Sequence, residues 1–292
     1  MRVVATLTTR PNYHSGLKET LDSLTSQFDA VYLGLPYKSL KGIKYPEFSH
    51  PKVTVVRLEE DIGSSSKLLA SLIKEKRVKD TLIVSVDDDY KYDQDLRKLF
   101  EKKREENIKK NKDYVITLAG FYVKYWNFGL LGVNGNRNDW KNNFLFDFNK
   151  EKKVTTIAGY AGVAYPANIF KETEDYINFI KSFKDDKILF KNDDILISAY
   201  ISKLGIQKII IPFNDTDTGK FNKDTNETIE PNAHEIYESI YKVKDYLQLN
   251  NPTKLTLVGL DIILILISFI LIIFFLYFMS IWFNCFICIF IK

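Results

Sequence analysis

The chain has 292 residues, 46% hydrophobic and 27% charged, with a formal net charge of +4. That length suits one α/β domain of about 250 residues with a short appendage, and so mild a charge excludes binding of nucleic acid through a strongly basic surface. Both cysteines, Cys285 and Cys288, fall in the last apolar stretch, so the rest of the chain has no disulfide and no Cys-built metal site.

In chain order, "RVVATLT" is β-rich, and no secretory signal is visible before it. "SGLKETLDSLTSQF" sets Leu17, Leu21, Leu24 and Phe28 at helical spacing. "AVYLGLP" and "KVTVVRL" predict strands, and "SSSKLLASLIKEK" predicts a helix with serines suited to capping its start. "TLIVSV" predicts a strand that runs straight into Asp87, Asp88 and Asp89. Strands alternating with helices imply a mostly parallel central sheet flanked by helices, with ligands gathering at the carboxyl ends of the strands.

The next helix is expected in "QDLRKLFEKKREEN", with "EKKREENIKKNKD" as its solvated end and loop. "YVITLAGFYV" reads as one strand. Trp126 to Lys153 is aromatic, Asn/Gly-rich and aperiodic, and is expected to form a long loop or a cover over a cleft. "VTTIAGYAGVAYP" reads as extended and Gly-punctuated, "NDDILISAYISKLG" as a helix closed by Gly205, and "IQKIIIPF" as a strand. Residues 214 to 232 are polar and are expected to be mobile.

Residues 262 to 291 contain no charge, a run longer than the roughly 20 residues that span a bilayer. Tyr277 and Trp282 suit an interface. The expectation is a domain over 1–250, then a linker and single-pass C-terminal membrane anchor over 251–292, with the domain in the cytosol. The Asn triplets at 214 and 226 are glycosylation acceptors only in a lumenal domain.

Three adjacent carboxylates repel one another unless something offsets them. A solvated turn is the plain reading. The sharper reading is a divalent cation with phosphate oxygens on its far side, because the acids leave a strand that is apolar at nearly every position. Gly63, Ser64, Ser65, Ser66 and Lys67 open a helix, read either as a capped start with a solvated lysine or as free N–H groups that suit an anion. Asp193 and Asp194 read plainly as helix caps, and more sharply as a carboxylate that takes a proton from an attacking hydroxyl.

The order of these elements resembles the GT-A fold of nucleotide-sugar-dependent glycosyltransferases, especially short enzymes related to family 2 and those of bacteria and large DNA viruses. The resemblance covers about residues 1 to 240. Asp87-Asp88-Asp89 matches that family's D-x-D motif, which implies Mn²⁺ or Mg²⁺ on Asp89, with Asp87 also a ligand and Asp87 and Asp88 near the nucleoside. The opening strand and helix (Leu17, Leu21, Ser23, Leu24, Gln27) match the family pattern, which sets Thr8, Thr9 and Arg10 against the nucleotide. The Asp61-x-Gly-x-x-x-Lys67 element implies two further donor contacts, Asp61 and Lys67.

Gly159, Tyr160 and Gly162 resemble the family's acceptor loop, where small residues let backbone approach a sugar. "DDILI" resembles its E-D-x-x-L helix, with Asp193 in place of the commoner Glu and Asp194 at the general-base position of inverting members. His234 stands where many GT-A enzymes place a histidine on the metal or diphosphate, although a lone His before a helix is more often merely a surface residue. The resemblance implies metal-dependent, inverting transfer from a nucleotide-sugar, with a UDP-sugar favoured, to a glycan or lipid-linked acceptor. Two alternatives stand beside it. One is a sugar-nucleotidyltransferase, against which counts the lack of a glycine cluster in "TLTTRPNYHSG". The other is an inactive membrane-tethered module that binds nucleotide or glycan.

Overall fold

Val3, Val4, Ala5 and Leu7 of the first strand are all fully buried, although successive side chains point to opposite faces. A strand apolar on both sides must lie inside a sheet covered on both faces. The structure, a computed structural model, describes residues 1–13, 16–75, 78, 80–126, 129–133, 151–211, 220–221 and 233–247. All of these except Tyr125, Trp126 and Gly129 belong to one compact unit, Met1–Lys124 with Leu130–Leu249; a second unit takes Tyr125–Gly129 and Asn250–Lys292.

The elements run β1 (Arg2–Thr8), α1 (Leu17–Thr25), β2 (Ala30–Pro36), β3 (Val53–Leu58), α2 (Ser66–Glu75), β4 (Thr81–Ser85), β5 (Tyr90–Lys91) and α3 (Leu96–Lys109). There follow β6 (Val115–Thr117), β7 (Gly120–Trp126), β8 (Gly129–Val133), β9 (Lys152–Val154), β10 (Thr156–Ile157), β11 (Val163–Pro166) and α4 (Thr173–Lys181). The chain continues through α5 (Asp193–Lys203), β12 (Lys208–Ile210), β13 (Lys220–Phe221) and α6 (Ala233–Lys242).

The main sheet has the order β3-β2-β1-β4-β11-β6-β12-β9. β3, β2, β1 and β4 are mutually parallel, β11 runs against both β4 and β6, β12 is parallel to β6, and β9 runs against β12. The expected mixed α/β architecture is present, with two reversed strands in an otherwise parallel sheet. From β1 the chain moves outward through β2 and β3, then returns to place β4 on the other side of β1. That reversal opens a crevice between the carboxyl ends of β1 and β4, the usual ligand position in such sheets.

The two faces carry separate cores. Val3, Ala5, Leu7, Leu82 and Val84 pack with Leu17, Leu21 and Leu24 of α1 and Leu96 and Phe100 of α3. Val4 and Ile83 point the other way, to a cluster with Leu68 and Leu72 of α2, Tyr176 and Phe179 of α4, and Leu196 and Tyr200 of α5. Burial of each such side chain contributes roughly 1.5–3 kcal/mol.

Several boundaries depart from expectation. "YVITLAGFYV" is two strands, because after Thr117 the chain leaves the main sheet and β7 pairs instead with β10. The Thr117 hydroxyl bonds the Ala119 carbonyl at 2.5 Å and fixes that break. The basic end of α3 is not wholly solvated: Arg104 and Asn107 are buried, and Arg104 lies 2.7 Å from Asp113 and donates to the Lys112 carbonyl. The expected loop over 126–153 contains β8 and the start of β9, and His234 lies inside α6 rather than before it. Among the described residues no helix is long and apolar enough to cross a membrane. The predicted span over 262–291 and most of the polar stretch over 214–232 lie outside the described residues.

Candidate functional site

β4 is fully buried through Ser85, and Asp87, Asp88 and Asp89 follow it as partly exposed residues at the β1/β4 crevice. Each acid is handled differently by its neighbours. Asp88 accepts a short hydrogen bond from the hydroxyl of Thr9, which follows β1, and its carbonyl accepts from Thr20 of α1 at 3.1 Å. The N–H of Asp87 donates to the Tyr92 hydroxyl at 2.9 Å, and that hydroxyl donates to the Tyr160 carbonyl at 3.0 Å. One buried tyrosine therefore ties the Asp triplet to the glycine loop. The sequence reading passed over Tyr92, and its only signal there was that a buried phenol requires a polar partner.

Lys67 provides the central link. Its side chain is 6% exposed, and Nζ lies 2.6 Å from Asp87 Oδ1 and 2.7 Å from Asp193 Oδ2. Burial alone would lower its pKa, but the charges of Asp193, Asp87 and Asp194 outweigh burial and raise it well above the ordinary lysine value. Lys67 is held between two carboxylates, which joins the strand-end triplet to the acid pair of α5. The physical reason is desolvation: a cation this deeply buried needs counter-charges of its own.

Asp193 and Asp194 occupy the first turn of α5, but neither caps it, since the cap position falls to Asn192. Asn192 is itself held by the Ile188 carbonyl and the Ser239 hydroxyl. Asp194 keeps a partly exposed edge, and its Oδ2 accepts the Gly159 N–H at 2.8 Å. Burial, then the neighbouring charge of Asp193, push the Asp194 carboxyl up to about 7, against the opposing pull of Lys67. Burial raises the pKa of Asp193 as well. The site thus holds a carboxyl poised to gain or lose a proton near neutral pH.

Gly159 owes its identity to this contact. A Cβ there would sit 2.7 Å from Asp194 Oδ1 and 2.9 Å from Lys67 Nζ. The expected reason for a small residue was approach of a sugar; the contact observed is with the acid pair. Gly159→Ala is therefore expected to displace Asp194 and Lys67 together and to cost about 1–3 kcal/mol as overpacking. Denaturant unfolding of the variant measures this, and a cost near zero would mean that the pair shifts freely. Gly162 has φ +93°, which favours glycine, and a Cβ there would meet Phe100.

The remaining sequence candidates separate. Thr8 donates to the Gly34 carbonyl of β2 at 2.7 Å, a cross-strand contact. Arg10 is exposed at the crevice rim. Asp61 accepts from the N–H groups of Leu40 and Gly63, both at 2.8 Å, and so organises two loops. Tyr160 stacks at a tilt near Tyr90, and burial raises its pKa. His234 belongs to α6 by its backbone, and its side chain lies outside the described residues.

Among the described residues no three His, Cys, Asp or Glu side chains converge as a metal cage. Mg²⁺ in nucleotide sites needs only one or two carboxylates, the remainder being water and substrate phosphates. Asp89 and Asp87 fit that smaller demand, since both are carboxylates partly exposed at the end of β4.

No protein-family profile and no curated protein matches the chain. Among the solved structures to which the chain is similar at low identity, two are 4-diphosphocytidyl-2C-methyl-D-erythritol synthases. One is the 4-diphosphocytidyl-2C-methyl-D-erythritol synthase of Anaerococcus prevotii, at 12% identity and a TM-score of 0.37, covering 85% of this chain and 96% of that one. Another 4-diphosphocytidyl-2C-methyl-D-erythritol synthase has 10% identity and a TM-score of 0.40, covering 84% of this chain and 99% of that one.

Proposed function

We infer that the chain is a nucleotide-sugar-dependent glycosyltransferase of GT-A type, acting at the β1/β4 crevice with inversion of the anomeric centre. One observation carries this reading: Lys67 bridges Asp87 and Asp193, which brings the strand-end triplet and the α5 acid pair into one site. A donor diphosphate at the triplet would then face Asp194, the carboxyl that titrates near 7. Asp194 takes the proton of the acceptor hydroxyl as its oxygen attacks the anomeric carbon, while the bond from that carbon to the diphosphate oxygen breaks and the nucleoside diphosphate leaves. Mn²⁺ or Mg²⁺ on Asp89 and Asp87 would neutralise the charge of the leaving diphosphate. On this reading Thr9 and Asp88, joined by their hydrogen bond, would contact the nucleoside.

Sugar-nucleotidyl transfer is the second reading, because it would use the same crevice. The two structures named above are both synthases of a diphosphocytidyl compound; at their TM-scores that likeness does not choose between the chemistries.

A screen of nucleotide-sugars for thermal stabilisation, with Mn²⁺ and with EDTA, tests the donor site. A UDP-sugar is expected to stabilise the protein only with metal, and Asp89→Asn is expected to abolish the metal-dependent part. Equal stabilisation of Asp89→Asn and wild type would remove Asp89 from the metal site. Stabilisation by a nucleoside triphosphate instead, followed by pyrophosphate release with a sugar phosphate, would establish the second reading.

A further inference from the structure

The connection between β2 and β3 carries the segment "YKSLKGIKYP", residues 37 to 46. Its tip is exposed and apolar: Tyr37, Leu40 and Ile43 are 54%, 63% and 55% accessible. Lys38, Lys41 and Lys44 alternate with them and are exposed as well. None of the three lysines forms an ion pair with a described residue.

The segment has a defined shape. Ser39 N–H donates to the Ile43 carbonyl at 2.8 Å, Gly42 N–H donates to the Ser39 carbonyl at 2.7 Å, and a bridge joins Lys38 to Lys44. Gly42 makes the reversal at φ +76°. Asp61 anchors the near side through Leu40 N–H, and Tyr45 donates to the Thr9 carbonyl at 3.1 Å. The knuckle is therefore rooted on the rim of the candidate site. Single exposed apolar residues need no explanation, but three together on one ordered turn mark an interaction surface.

We propose that this knuckle docks onto an anionic lipid surface, with Leu40, Ile43 and Tyr37 entering the headgroup boundary and the three lysines meeting lipid phosphates. Two further observations choose this occupant. The alternation of lysine with large apolar side chains is complementary to an anionic membrane surface, where both terms add. The chain also contains the uncharged stretch from 262 to 291, long enough to hold the protein at a bilayer. Docking would present the crevice beside Thr9 to molecules borne by that membrane. The proposal stands apart from the chemistry of transfer.

The test uses the full chain with Cys285 and Cys288 replaced by Ser, reconstituted into vesicles of phosphatidylcholine with and without phosphatidylserine. An environment-sensitive fluorophore is attached at Leu40→Cys, and at Ile108→Cys as a control on the exposed surface of α3. Nitroxide-bearing lipids are expected to quench the label at position 40 in phosphatidylserine vesicles, with little effect at position 108, and high salt should reverse the quenching. Each lysine near an anionic surface contributes about fivefold, so replacing Lys38, Lys41 and Lys44 together with Gln should weaken docking on the order of a hundredfold. All three are exposed, so the thermal melt of the triple variant should match that of wild type. Absence of lipid quenching at position 40 would overturn the proposal. So would energy transfer between labels that rises with protein density without lipid quenching, which would make the occupant a second copy of the chain. Quenching unaffected by salt and by the lysine replacements would likewise contradict it.

Discussion

Lys67→Met is expected to destabilise the protein by about 3–5 kcal/mol, the cost of removing one partner from a buried charge network. Set against a typical total of roughly 5–15 kcal/mol, that loss lowers the melting temperature on the order of 10 °C. The reason lies in what remains behind. Lys67 is the cation within reach of Asp87 and Asp193, and it also offsets the charge of Asp194. Without it, those carboxylates must be buried near one another unpaired.

The loss carries a pH signature whose sign is fixed by the direction of the shifts. Asp193 and Asp194 both have folded pKa values above their unfolded ones. Their protonated forms are therefore favoured by folding, so the stability linked to them is fully present below the unfolded carboxylate value and is lost as pH rises through about 7. Removing Lys67 pushes both groups further up. The defect should accordingly be mild near pH 5 and severe near pH 8, as measured by denaturant unfolding at each pH. Adding Asp193→Asn to Lys67→Met should restore part of the loss, and a double-mutant cycle reads that coupling directly. A Lys67→Met protein as stable as wild type at pH 8 would show that the pairing is incidental.

Asp194→Asn is the second variant with a large expected effect, and it separates chemistry from folding. The amide oxygen can still accept the Gly159 N–H, so the geometry of the loop is kept. Because burial and Asp193 hold the acid at about 7, removing its charge should leave stability unchanged or raise it above that pH. Transfer, by contrast, should fall about 10²–10⁴-fold, the usual contribution of a positioned base. In wild type the rate should climb with pH through about 7, as the base loses its proton. A purely structural Asp194 would give the opposite result, with stability lost and rate retained.

The sequence displays these features unevenly. The apolar strands and the amphipathic helices α1 and α2 were legible, because burial on a sheet face or a helix stripe leaves a periodic trace. The acids at 87–89 and 193–194 were legible as clusters, since adjacent like charges require an explanation. Their partnership through Lys67 was not, because a contact between positions 67 and 193 leaves no local pattern. Lys67 read instead as a phosphate contact from its place at a helix start. Asp61 entered as a donor contact only through the family resemblance, and the two loop N–H groups that its carboxylate holds leave no trace in the sequence. The reversal of β11 was equally hidden, as periodicity reports which face a residue takes and says nothing of strand direction. α4 received no assignment, and Tyr92 was passed over beside the more conspicuous acids.

The most direct measurement is nucleotide release from a panel of nucleotide-sugars by the full chain, wild type and Asp194→Asn, with Mn²⁺ across the neutral pH range. The account predicts release of a nucleoside diphosphate from one donor, rising through about pH 7, with the activity nearly lost in Asp194→Asn. Pyrophosphate production from a nucleoside triphosphate and a sugar phosphate, with no turnover of any nucleotide-sugar, would contradict it.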